Sequence, residues 1–238
     1  MPTYQNEEAE IFYEIEGSGY PILLIAPGGM RSENALWNNM PWNPRKELAN
    51  EYQLIGMDQR NAGSSYASIS ATDGWENYTR DQLGLLDELG VNQCHVIGMC
   101  IGGPFIAALL KADPERFTSA VILQPVGIDN NRPAFYDMFD SWAADLIAER
   151  KELLKETMDE FRSNMWDGNF MLTASESEVS ELTNPILLCM GDDLYHPQST
   201  SRKVASLAPN VTFIEQWKTL ETLEKTNSVI HSFLAQHA

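Results

Sequence analysis

A thiol with the neighbours that covalent chemistry needs lies near the middle of this 238-residue chain, in the stretch HVIGMCIGG, His95 to Gly103. An apolar, strand-like run ends in Gly98-Met99-Cys100-Ile101-Gly102-Gly103, and a helix-like run follows. A side chain displayed at so tight a turn sits on strained backbone, and small flanking residues relieve the crowding; Gly98 and Gly102 supply them. The helix start beneath the thiol, with its dipole and free N–H groups, favours a thiolate. A thiolate attacks activated esters, thioesters and lactones well. It also leaves readily, so the same residue suits hydrolysis or acyl transfer.

The elements around this turn alternate. AEIFYEIEG (9–17) reads as a strand that runs into a GSG turn and forms a hairpin. YPILLIAPGG (20–29) is a buried strand followed by a glycine loop, and YQLIGMDQRNAGSS (52–65) repeats that pattern. Residues 76–90 have helical spacing and stop at Gly90, and Pro104 opens another helix, where proline is tolerated. SAVILQPVG (119–127), PILLCMG (185–191) and VTFIEQW (211–217) are further strands before a closing helix. Strands alternating with helices imply βαβ units and a largely parallel sheet covered on both faces. Residues 128–184 break the rhythm: Phe135, Met138, Phe139, Trp142 and Leu146, then Leu154, Met158, Phe161 and Met165, recur at helical spacing. They are expected to form a helical cap over the carboxyl edge of the strands, whose Met and aromatic side chains suit an adaptable apolar cavity.

GMCIGG between a strand and a helix resembles the nucleophile elbow of the α/β-hydrolase family. ILLIAPGG resembles the strand and oxyanion loop that precede it. MDQRNAGSS resembles the family's Asp-x-Arg-Gly-x-Gly-x-Ser loop, with Asn61-Ala62 departing from it, and PILLCMGDDLYHP resembles the late strand and acid-bearing loop. The resemblance implies an α/β fold: a mostly parallel twisted sheet with flanking helices and a small helical cap. Length suits one domain over 1–238, the cap is read as inserted at 128–184, and the short N-terminus leaves little room for an extra first strand. Dienelactone hydrolases are the relatives that use cysteine in place of the commoner serine. An oxyanion would be met by the N–H of Ile101 and by a second donor from Gly29 or a neighbour in the Pro-Gly-Gly-Met loop.

The resemblance also implies an acid after a late strand and a histidine after the last one. Spacing to Pro197 points to Asp193 for the acid, with Asp192 beside it and Asp129, on the earlier strand, as an alternative. The late histidine is missing, because Trp217-Lys218 stand where it is expected. His95 lies five residues before Cys100 on the same strand, at a rise of about 3.3 Å per residue, too far to be a partner. His231 and His237 belong to the closing helix. His196 remains as the stand-in base. Two alternatives stay open: a pre-formed thiolate with no local base, or a site that has become a binding pocket. Arg60 is expected to make structural hydrogen bonds, and Trp217 to be a pocket wall or a core residue.

The bulk numbers exclude other classes. A net charge of −18 argues against nucleic acid and anionic membrane as partners. Three widely spaced cysteines suit a reducing, cytoplasmic setting, and no Cys/His cluster has metal-ligand spacing. The N-terminus carries no signal-like stretch, and no apolar run approaches membrane-spanning length. The expectation is a hydrolase of a small ester, lactone or thioester acting through Cys100, His196 and Asp193. No metal or organic cofactor is implied, the partner is a small acyl substrate, and the oligomeric state is open. The rivals are an acyltransferase of the same fold and a non-catalytic binding protein that lacks the late histidine.

Overall fold

The computed structural model describes residues 2–6 and 8–238. Nine strands form one sheet: β1 Thr3–Gln5, β2 Ala9–Gly17, β3 Tyr20–Ile25, β4 Tyr52–Met57, β5 Tyr66–Ala67, β6 Cys94–Cys100, β7 Phe117–Pro125, β8 Ile186–Cys189 and β9 Val211–Ile214. Eight α-helices accompany them: α1 Pro44–Glu47, α2 Trp75–Glu88, α3 Gly102–Ala112, α4 Arg132–Glu149, α5 Lys155–Trp166, α6 Glu176–Glu181, α7 Gln198–Leu207 and α8 Leu220–Gln236. The strand order is β1-β2-β4-β3-β6-β7-β8-β9, with β5 paired to β2. From β4 to β9 every pairing along that order is parallel; β1, β2 and β5 pair antiparallel.

Alternation along the central strands divides the core. Leu23, Ile25, Ile55, Val96, Ala120, Ile122, Ile186 and Leu188 face one side, with Phe105, Ile106 and Leu109 of α3. Ile22, Leu24, Leu54, Ile97, Met99, Val121, Leu123, Leu187 and Cys189 face the other, beneath Ile230, Phe233 and Leu234 of α8. Burial on both faces is what makes these strands read as continuous apolar runs.

Two expectations are corrected. β2 and β3 do not form a hairpin, since β4 lies between them, paired antiparallel to β2 and parallel to β3. The reason is the Gly17-Ser18-Gly19 turn, whose glycines take φ values of 72° and 123°. A Cβ on Gly17 would collide with the carbonyls of Ala49 and Tyr52, and one on Gly19 with that of Glu51. The turn therefore crosses closely over the start of β4 instead of closing on itself. The N-terminus also has room for an extra strand, because β1 pairs with Glu10–Phe12 of β2.

Residues 128–184 contain α4, α5 and α6. Trp142 Nε1 of α4 donates to the Asn61 carbonyl at 3.3 Å, and Trp75 Nε1 of α2 donates to Met165 O of α5 at 2.7 Å. Arg150, at the end of α4, donates to Asn61 Oδ1 and Ala67 O, each at 3.0 Å. The helix pair is thus fastened to the loop after β4, to β5 and to α2, packed through Phe135, Phe139, Trp142, Phe161 and Trp166. No helix among the described residues is long and apolar enough to cross a membrane.

Candidate active site

β6 ends at Cys100, whose φ of 61° is the left-handed conformation a non-glycine residue adopts only under constraint. The constraint is the immediate start of α3. A Cβ on Gly98 would lie 2.9 Å from Gly102 Cα, and one on Gly102 would lie 3.1 Å from the Ile25 carbonyl. The two glycines let strand and helix approach closely enough to present the thiol. Cys100 is partly exposed, whereas Cys94 and Cys189 are buried.

His196 reaches the same place from the loop after β8. Gly191 makes room for it, since a Cβ there would strike the His196 carbonyl. The loop closes through His196 N to Asp193 Oδ1 at 3.1 Å, and Pro197 then starts the run into α7. The ring Nδ1 meets both Asp193 oxygens, at 2.8 and 2.9 Å. This fixes the proton on Nδ1 and leaves Nε2 to act. Nε2 is buried and makes no hydrogen bond, to nitrogen, oxygen or sulfur. The group it interacts with is the Cys100 thiol, across a contact looser than a well-formed hydrogen bond, as resting sites often are.

The two groups perturb each other. Burial alone would push the Cys100 thiol up, but the neighbouring His196 imidazole and its charge, with the amides of Gly28 and Ile101, bring it below its ordinary value. Burial alone would lower His196, yet the Cys100 sulfur and then Asp193 raise it. Asp193 is pushed up by burial and brought down further by His196 and the amides of His196 and Tyr195. Each direction favours the charged form of its group. The other thiols behave oppositely: burial pushes Cys94 up to about 12 and Cys189 higher still.

The amides aimed at the sulfur are those of Ile101 and Gly28. Gly28 is a neighbour of Gly29 in the Pro-Gly-Gly-Met loop, where the second donor is expected. The loop sets this register: Gly28 takes φ 121° and Gly29 φ 60°, and Gly29 lies under Met138 of α4, where a Cβ would strike the Sδ. Ser32 ties the loop down, donating its Oγ to Ala26 O at 2.7 Å.

The remaining candidates are elsewhere. Asp192 bonds Lys218, and Asp129 accepts from Ser199 Oγ, so Asp193 is the carboxylate that meets His196. His95 is buried beside Ser119 and Thr118, at 2.8 and 3.0 Å, and burial holds it down to about 4. His231 lies 3.5 Å from Glu51, and His237 packs on Phe233. Arg60 is buried against Asp81 at 2.7 and 2.9 Å, a structural pair. Trp217 is a core residue, donating to Met190 O at 2.8 Å. Among the described residues no three His, Cys, Asp or Glu side chains gather as a metal site. A surface depression of about 1160 Å³ lies along α2 and the loop before it, lined by residues other than the triad.

Residues 21–203 match the family model described as alpha/beta hydrolase fold. This chain belongs to the α/β-hydrolase family. A 124-residue stretch is 37% identical to "Putative carbamate hydrolase RutD" of Azorhizobium caulinodans, covering 52% of this chain but only 44% of that relative's length. Over 93% of the chain and 89% of the relative it is 22% identical to 2-hydroxymuconate semialdehyde hydrolase of Pseudomonas putida. An enol-lactonase structure from Burkholderia xenovorans superposes with a TM-score of 0.71 at 18% identity, covering 98% of this chain and 100% of that one. In this chain Asp193 and His196 lie three residues apart on the loop after β8, and Trp217 and Lys218 stand in the loop after β9.

Proposed function

We propose that this chain is a thiol-dependent hydrolase of small esters, lactones or thioesters. The observation that carries the reading is the His196 imidazole, fixed by Asp193 on one nitrogen and offering the other, otherwise unpartnered, to the Cys100 thiol. The names of the relatives, a carbamate hydrolase, a semialdehyde hydrolase and a lactonase, support acyl substrates. A reducing, cytoplasmic setting belongs to the same proposal, because an oxidised sulfur cannot attack.

In the first half-reaction the Cys100 thiolate adds to the acyl carbon, and the carbonyl electron pair moves onto oxygen, where the Gly28 and Ile101 amides receive it. Collapse of this adduct expels the leaving oxygen or sulfur, which takes the proton from His196 Nε2. The product is a thioester on Cys100. In the second half, neutral His196 takes a proton from water, the hydroxide adds to the thioester carbon, and Cys100 leaves as thiolate. Asp193 stabilises the imidazolium at each stage.

The test is intact-protein mass after brief exposure to p-nitrophenyl acetate. We expect an acetyl adduct on Cys100 that disappears in water and never forms in Cys100→Ala. An adduct released only to an added alcohol, amine or thiol would make the protein an acyltransferase. No adduct on Cys100 would leave a binding protein.

A further inference from the structure

Opposite the nucleophile, the β6–β7 ladder skips a residue. Met99 pairs with Leu123, but Cys100 pairs with Pro125, leaving Gln124 as the extra residue of a bulge. Gln124 has a φ of 40°, left-handed backbone without a glycine to allow it. Bulges beside active sites re-aim neighbouring groups, and strained residues persist only where surrounding contacts hold them. The contact here comes from Lys218, in the loop after β9, which donates to Gln124 Oε1 at 2.8 Å. The same ammonium donates to Asp192 Oδ1 at 2.5 Å, and Asp192 adjoins Asp193. The lysine is held in turn by Trp217, whose indole is anchored on Met190 O and whose ring lies 5.9 Å from Nζ.

We infer that Lys218 is a positioning residue of the active site, clamping the Gln124 bulge beside the nucleophile to Asp192 on the loop that carries Asp193 and His196. The inference rests on the thiol-dependent reading above. It gives the loop after β9 a role although no imidazole stands there. One side chain spans the two segments whose separation sets the Cys100–His196 distance. Lys218 is about one-quarter exposed and Asp192 about half exposed, so the pair adds little to stability. Its contribution is registration: displacement of a reacting group by about 1 Å is enough to cost rate by orders of magnitude.

Two readouts separate this role from a structural one: steady-state turnover of p-nitrophenyl acetate, and the pH dependence of Cys100 alkylation by iodoacetamide. In Lys218→Met, kcat should fall about tenfold with KM within about twofold. The alkylation midpoint should move to higher pH while the thermal midpoint barely changes. Lys218→Arg should recover most of the loss. Gln124→Ala and Asp192→Asn, which each remove one end of the clamp, should act in the same direction. The Lys218→Met/Asp192→Asn double variant should be no worse than Lys218→Met alone, because the two act as one unit. Folded Lys218→Met with wild-type kcat and wild-type alkylation profile overturns the inference and leaves the thiol reading intact. If Lys218→Met does not fold, wild-type behaviour of both Gln124→Ala and Asp192→Asn overturns it equally. Absence of selective Cys100 alkylation in the unaltered protein overturns the inference and the thiol reading together.

Discussion

Two effects oppose each other on Cys100. Burial favours the neutral thiol, whereas His196 and two amides favour the thiolate, and the second set prevails. The thiol is held below its ordinary value, so the thiolate persists as pH falls until that lowered value is crossed. The imidazolium is held above its ordinary value, so it persists as pH rises until that raised value is crossed. Each charged form stabilises the other, so the two titrations are coupled and the apparent values belong to the pair. Alkylation of Cys100 by iodoacetamide should therefore have its midpoint below that of a free thiol, while Cys94 and Cys189 stay inert. In His196→Ala the midpoint should move up toward the ordinary thiol value; an unchanged midpoint would remove His196 from the site. At this scale much of the site was readable. Gly98 and Gly102 mark the elbow, and the four histidines could be tested one by one against strand geometry and position. Gly28 was not readable, because which amide of a Pro-Gly-Gly loop faces the sulfur depends on two positive φ values. Nor was Gln124, since nothing in its type announces a bulge.

Between elements, the β6–α3 unit fits against β7 with no spare volume. A Cβ on Gly103 would lie 3.0 Å from Pro125 Cα and closer still to its Cβ. Pro125 pairs with Cys100 and follows the bulge, so the backbone there cannot yield without moving Cys100. Gly103→Ala should cost about 1–3 kcal/mol through overpacking and abolish most turnover. Gly90 is the useful contrast: its φ is 67° but nothing lies within 4 Å of an added Cβ. Gly90→Ala should cost only the left-handed backbone, about 1–2 kcal/mol, with kcat unchanged. In a chain of this length each kcal/mol lowers the melting temperature by about 2–4 °C, so calorimetry and turnover measured together separate the two variants. The central parallel strands were plain in the sequence because both faces are apolar. The order β2-β4-β3 was not, because a glycine turn that crosses a neighbouring strand and one that closes a hairpin have the same composition.

Across the whole molecule, 34 acidic residues against 16 lysines and arginines leave a charge of −18. Salt weakens two opposing terms. It screens exposed ion pairs such as Arg202–Glu215, each worth about 0–1 kcal/mol. It also screens repulsion among the excess carboxylates, which acts over the full surface at distances beyond the Debye length of about 8 Å at physiological ionic strength. With acids in twofold excess the second term dominates, and the melting temperature should rise as sodium chloride is raised from about 10 mM to about 150 mM. Choline chloride should act equally, which distinguishes screening from binding of a particular cation. The same field bears on the active site, since a substrate carrying a carboxylate approaches against it and a neutral one does not. For an ester bearing a remote carboxylate, kcat/KM should increase with ionic strength over that range, while for a neutral ester of the same leaving group it should stay flat. Equal salt dependence for both esters would show that the charge around Cys100 differs in sign or strength from the average over the surface.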